Sequence, residues 1–363
     1  MPLSEDGLSL FITGEGEVNE LQDMPSSVAR IIIQNCTRPQ FRIPTLPAHV
    51  KELGLVGVQI RAPLILAEGL EVLTMSRVDT DVPLTHWIFP ASLKMTKIAY
   101  WGELILDLRA VTSPAITLWD LRHDGDRLLL PESLASLVVE STVIDSIKLF
   151  FPDRLEDVPV QARGAIPQHR AIFLPPYLEA ISLVGISDLG LAGKSRTTKL
   201  KDVSIRQMHN TPDLVRFFPR LESLYLGNVA PRAFPSLKLE HLRQLTLNQS
   251  STRDPIVIDA PELETLHIIS GDYPSQRVKI SEESSIGGTL VELTLEHVQE
   301  FPPIEDWNRL EVLTVTDSEI ELPKIQWLRE LEVDKPLLAN GIRVNDLDEY
   351  KQAWGATGRA KRA

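Results

Sequence analysis

Residues 190–199 read GLAGKSRTTK and follow the apolar run Ile181-Ser182-Leu183-Val184. A strand entering a glycine-rich turn that ends in Lys-Ser is how backbone N–H groups and a lysine come to hold phosphate. That chemistry needs a glycine, four residues, then Gly-Lys-Ser/Thr at the start of a helix. Here the position of the leading glycine holds Asp188, an acid that repels phosphate. Beyond the lysine, Leu200, Val203 and Ile205 space themselves as a strand rather than a helix. The stretch is therefore read as a connecting loop, with Gly190 and Gly193 turning the chain. Lys194, Arg196 and Lys199 then form a basic patch on its rim.

Other reactive residue types give no constellation. The eight histidines are dispersed and show no metal-ligand spacing, and no serine–histidine–acid arrangement stands out. No catalytic residue, metal ligand or cofactor site is assigned, and no small-molecule substrate is evident. A single cysteine, Cys36, excludes an internal disulfide. The formal net charge of −13 disfavours nucleic acid and anionic membrane as general partners. No apolar run approaches the roughly 18 residues of a membrane span. The opening MPLSEDGLSLFI lacks a basic n-region and a long apolar core, so no secretory signal is expected. The triplets Asn35-Cys36-Thr37 and Asn248-Gln249-Ser250 are then read as fortuitous. A reducing compartment, cytoplasmic or nuclear, is the expectation.

What positions side chains in this chain is a repeat. LESLYL (221–226) recurs as LRQLTL, LETLHI, LVELTL, LEVLTV and LRELEV, with middle apolar residues Leu224, Leu245, Leu266, Leu293, Leu313 and Leu331. The steps between them are nearly even, with one longer step from Leu266 to Leu293. Backwards, Val203, Ile181, Val158, Leu137, Ile116, Thr96, Leu73, Leu53, Ile31 and Leu10 continue the series at the same stride. That predicts 16 copies, two of them degenerate: Thr96 replaces an apolar residue and Pro159 interrupts LEDVPV. Alternating apolar residues make a short half-buried strand, and only stacking in parallel gives such strands a common core. The roughly 15 residues left in each step are too few for a helical crossover on every copy. About 15 steps at strand spacing make a sheet roughly 70 Å long.

The pattern resembles that of the leucine-rich-repeat family, L-x-x-L-x-L-x-x-N/C-x-L, over about nine-tenths of the chain. MPSSVARIII, LPAHVKELGL, FPASLKMTKI, LPESLASLVV and LPPYLEAISL place proline three residues before the first apolar position. They resemble the short LP-type repeats of bacterial effectors and of similar fungal and amoebal proteins. The resemblance implies a strand-dominated α/β solenoid: a curved horseshoe with a parallel concave sheet and a convex side of extended or short-turn returns. It also implies a non-enzymatic protein that binds a protein partner on the concave face. The family's ladder asparagine is mostly replaced, by Cys36, Val58, Val78, Trp101, Leu121, Val229, Ser250, Gly271 and Val298 among others. Apolar substitutes there are expected to point inward.

The solenoid is expected over 1–344, with a cap over 345–363 in which Asn345 caps a helix DLDEYKQAW before a basic tail. MHNTPDLVRFF (208–218) and STVIDSIKLFF (141–151) could each hold a helical turn, and SQRVKISEESSIGG (275–288) reads as an insertion. MPSSVARIIIQNC also resembles the opening of an F-box, which makes a ubiquitin-ligase adaptor, or an effector-like repeat protein, the alternative function. The run Ile31-Ile32-Ile33 favours a strand instead. Cys36 falls at an inward ladder position, unlike the nucleophile of a thiol ubiquitin ligase.

Aromatic side chains and arginine supply most interface energy. Two groups of them are placed on the display face: Arg77, Lys97, Tyr100 and Trp119, and Arg206, Tyr225, Asn248 and His267. The last copies add Glu292, Glu296, Glu311, Asp317, Glu330, Glu332 and Asp334. Glu296, Glu311 and Glu332 in particular point to a basic segment of a protein partner.

Overall fold

The computed structural model describes residues 3–4, 7–13, 25–36, 46–80, 82–99, 105–119, 127–140, 146–151, 170–175, 177–185, 188–193, 199–207, 218–228, 236–248, 256–271, 280–281, 284–286, 288–298, 301, 307–318 and 320–355. It divides into two compact units, Met1–Lys199 and Leu200–Ala363. Both are built mostly from five-residue strands whose second and fourth side chains point inward. Each strand is named here by its second residue.

In the first unit eight parallel strands lie side by side, in the order Leu10, Ile31, Leu53, Leu73, Thr96, Ile116, Leu137, Ile181. In the second, seven do so: Val203, Leu224, Leu245, Leu266, Leu293, Leu313, Leu331. The named residues are direct register partners throughout each series, as the repeat spacing predicts. The inward pairs are buried almost without exception, for instance Leu53 with Leu55 and Leu245 with Leu247. Such a solenoid core is a sum of neighbour contacts, so each copy depends on the ones beside it.

Local chemistry repeats as faithfully as packing. The carbonyl of Pro25, Pro47, Pro90, Pro131 and Pro175 accepts the N–H of Val28, Val50, Leu93, Leu134 and Leu178, at 3.0–3.2 Å. Each LP motif thus closes a β-turn that delivers the chain to the next strand. At the other end of the strand the chain leaves through a left-handed residue: Asn35, Arg77, Gln207, Asn228, His297 and Asp317 have φ of 43–60°. Gly57 and Gly185 take the same place. The N–H of this corner residue reaches the last carbonyl of the following strand, as Asn35 to Val56 and Asn228 to Asn248. The residue after the corner turns inward, and Cys36, Val58, Val78 and Val298 are buried there as expected. Ser318 shows the polar version: its Oγ accepts the Val298 N–H at 2.8 Å and donates to the Thr316 carbonyl at 3.0 Å. Trp101, Leu121, Val229 and Ser250 lie outside the described residues.

The returns are extended, with one 3-10 turn among the described residues, at Leu84–His86. In places they pair into small parallel sheets of their own, and these overturn three expectations. First, the Leu137 strand pairs directly with the Ile181 strand, so no copy at Val158 stands between them. Residues 155–160 themselves lie outside the described residues. Over this double-length step Ser146–Phe151 and Arg170–Phe173 both join the return sheet, where they pair with each other. Pro159, which cannot complete a central strand, had already marked that copy as defective. Second, Ser146–Phe151 is a strand, not a helical turn. Its β-branched and aromatic residues, Ile147, Phe150 and Phe151, suit a pleated surface. Third, Asp188–Gly193 is also a strand of this sheet, pairing with Ser146–Phe151. Gly190 and Gly193 therefore extend a strand and do not turn the chain. Lys194 and Arg196 lie outside the described residues, as do 208–217 and the basic tail.

At the C-terminus the helix spans Leu347–Gly355. Its cap is Asp346, not Asn345: the Glu349 N–H donates to Asp346 Oδ1 at 2.9 Å. Glu349 reaches back to accept the N–H of Asn345 at 2.7 Å, a capping box displaced by one residue. Tyr350 ties the helix down. Its hydroxyl donates to the Pro323 carbonyl at 2.8 Å and accepts the Ile325 N–H at 2.5 Å.

Thr96 fills an inward strand position of the first unit with a hydroxyl. It is fully buried, and its Oγ1 has no partner among the described residues. An unpaired buried hydroxyl costs about 1–3 kcal/mol. Thr96→Val keeps the branched shape and removes that cost. It should raise stability by about 1 kcal/mol or more, read as a higher midpoint in denaturant at unchanged slope.

Candidate functional site

The face opposite the core carries the first, third and fifth residues of every strand, in columns set by the register. In the first unit Lys97 Nζ lies 5.8 Å from the centroid of the Trp119 ring on the neighbouring strand. Trp119 Nε1 in turn donates to Glu140 Oε2 at 3.1 Å. Lys97, Trp119 and Glu140 thus form one chain of contacts across three strands. Arg77 is not in that column. It is the left-handed corner after the Leu73 strand, where its backbone N–H donates to the Ala99 carbonyl at 3.1 Å. Tyr100 lies outside the described residues. Lys199 sits 5.0 Å from the ring centroid of the exposed Tyr177.

The second unit holds a tighter arrangement. Arg206 and Gly227 are register partners, and the Tyr225 ring lies over the glycine. A Cβ at Gly227 would meet Tyr225 Cε1 at 2.8 Å and its hydroxyl at 3.3 Å. The absence of a side chain there is what lets the ring lie down on the strand. Arg206 stacks on it with its guanidinium carbon 4.6 Å from the ring centroid. Arg206 is exposed and has no carboxylate partner among the described residues. Asn248 occupies the same column one strand beyond Gly227. His267 is drawn away from this group: its Nε2 is 3.1 Å from Glu292 Oε1.

The acidic residues divide into two sets that sequence alone did not separate. Glu311 is not on the face. It precedes its strand by one residue and pairs with Arg329 at 3.1 Å. Equivalent positions in other copies form ladders of alternating charge along the strand entrances. Glu71 lies between Lys51 at 3.2 Å and Lys94 at 2.5 Å. Lys201 meets Glu222 at 2.8 Å, and Arg243 lies 3.8 Å from Glu264. Of the face acids, Glu292 meets His267, and Glu296 lies 3.8 Å from His297 Nε2. Asp317 is the left-handed corner after the Leu313 strand and not a face residue; it bonds His297 Nδ1 at 3.0 Å and also pairs with Lys335. Glu330 and Glu332 have no ion pair among the described residues, and both are exposed. A cleft of about 510 Å³ opens beside them, between the last two strands and the start of the helix. Glu330, Glu332, Asp346, Asp348, Arg329 and Thr314 are among its lining residues.

A period of about 21 residues, an unbroken parallel register within each unit, a left-handed exit and an inward residue after it are now in place. The repeat is of the leucine-rich type. No protein-family model matches the chain, and no curated protein matches it. Among solved structures it is similar to CroV588, described as a novel circular LRR protein, at 11% identity and a TM-score of 0.28. The likeness covers 89% of this chain, which spans 64% of that protein's length. At that score the repeat's own geometry, not the likeness, decides the fold. Among the described residues no cluster of three metal-ligating side chains occurs, and no helix is long and apolar enough to cross a membrane.

The ladders have a pH signature. The Lys94 hydrogen bond, then that of Lys51, holds the Glu71 carboxyl below the usual range, and Lys201 does the same for Glu222. Burial pushes Asp107 up, but its hydrogen bonds with Arg109 and that residue's charge more than offset this and leave it lowered. A depressed native pKa contributes stability above the unfolded value, and that stability is lost as pH falls through the native one. Thermal midpoints should therefore hold near neutrality and drop below about pH 4. The double variant Glu71→Gln/Glu222→Gln should show a shallower drop, and a drop as steep as the parent's would contradict the ladder's role.

Proposed function

We propose that this chain is a non-catalytic binding protein that holds a basic segment of a protein partner at the C-terminal end of its second unit's sheet. A leucine-rich solenoid is suited to such work, because its columns offer many side chains on one continuous surface. The observation that carries the proposal is the pair Glu330 and Glu332, exposed, unpaired among the described residues and bordering the 510 Å³ cleft. Like charges this close are unfavourable unless solvated or met by a cation. Glu296 contributes to the same negative end, whereas Glu311 is already matched by Arg329. A reducing compartment, cytoplasm or nucleus, suits the free thiol of the buried Cys36.

The adaptor alternative gains no support from the F-box-like stretch. Pro25–Val28 closes a turn there and Arg30–Gln34 is a strand.

The test is quantitative affinity capture from cell extract with the parent chain and with Glu330→Lys/Glu332→Lys, both verified as folded by their melting curves. Proteins retained by the parent should be lost from the variant by tenfold or more, corresponding to about 1.4 kcal/mol. Equal recovery on both would remove the acidic end from the binding surface.

A further inference from the structure

The proposed acidic end is only half of an electrostatic pattern on the second unit's outward face. On the Val203 strand, at the opposite edge of that unit's sheet, stands Arg206. Among the described residues it is a cation with no acid paired to it, in a protein of net charge −13. It is held against the Tyr225 ring, which Gly227 allows to lie flat. Stacking of this kind fixes a guanidinium while leaving its N–H edge open to a carboxylate, which it can grip with two parallel bonds. Two other cations near this edge are matched, Lys201 by Glu222 and Arg243 by Glu264. The face therefore runs from a presented positive charge to an acidic cleft.

The distance between these ends follows from the fold. Six strand-to-strand steps separate the Val203 strand from the Leu331 strand. At about 4.8 Å a step the separation is about 29 Å. An extended chain advances about 3.3 Å per residue, so roughly nine residues cover it. The side chains between the ends are mostly small or uncharged in the third column: Thr246, His267, Thr294 and Thr314. Such a path can accommodate a peptide backbone crossing the strands.

Resting on the function proposed above, we infer that the ligand of this face is an extended peptide segment with an acidic side chain and a basic side chain about nine residues apart. The acidic side chain is gripped by Arg206 and the basic one enters the cleft beside Glu330 and Glu332. The segment thus has one direction of binding, because reversing it would bring like charges together at both ends.

A displayed library of random peptides about 14 residues long, enough to cover the span with margin, is panned on the intact chain and on Arg206→Glu. Melting curves and sedimentation of both proteins accompany it. Peptides enriched on the parent should pair an acid with a Lys or Arg at a separation of about nine residues, several-fold above the input library. On Arg206→Glu the preference for the acid should vanish or turn into a preference for a second base, while the first base remains. Enriched peptides that carry only the basic residue would overturn the paired-charge ligand and leave the basic-segment proposal standing. No enrichment, or enrichment without a charge pattern, would overturn both. Self-association of the parent that Arg206→Glu abolishes would assign the face to a second copy of the chain and overturn the peptide ligand as well.

Discussion

Everything in this molecule depends on one constraint: a five-residue strand has two inward side chains, and they are buried only if the next strand lies beside it in register. Leu224 and Leu226 cannot leave water alone; with Leu245 and Leu247 on one side and Val203 and Ile205 on the other they are nearly inaccessible. A slip of one residue would turn those leucines outward and bring Tyr225 and Thr246 into the core. The register is fixed for this reason, and with it the position of every side chain on the opposite face.

Two backbone devices let the chain repeat that arrangement. A proline or its substitute closes the turn before the strand, and a left-handed residue bends the chain out after it. Asn and Gly take the left-handed corner at little cost, whereas Arg77, Gln207 and His297 do so because the neighbouring copy's carbonyl secures their N–H groups. Where the sequence fails to supply these devices the array adapts. Around Pro159 a double-length step sends two segments into the return sheet, and the core strands close over the gap.

Charge is sorted by position within the copy. At the strand entrances lysine and glutamate alternate from one copy to the next and neutralise one another, as Lys51, Glu71 and Lys94 do. On the outward face charges are met more sparingly. Arg206 rests on an aromatic ring, and Glu330 and Glu332 face a cleft. A charge that neighbours already satisfy has little to offer a partner, so the face, not the entrances, is where electrostatic recognition has purchase.

The period and the alternation of LESLYL and its copies determined by themselves the parallel solenoid, the register of the paired strands and the inward-facing columns, because burial of a two-residue edge admits one solution. The copy they also offered at Val158 is excluded by the direct pairing of the Leu137 and Ile181 strands. The same pattern placed Lys97 by Trp119 and Arg206 by Tyr225, since register neighbours are legible once the period is known. Only the tertiary structure decided the rest. It showed that Glu311 faces Arg329 and not the display surface, which turns on a shift of one residue at the strand entrance. It also showed that Gly227 matters through the ring it admits and that GLAGKSRTTK begins as a strand, not a turn. In that last case the deciding partner, Ser146–Phe151, lies two repeat steps away in sequence. A local pattern cannot announce a pairing that distant, because the hydrogen bonds that make Gly190 part of a sheet belong to another segment of the chain.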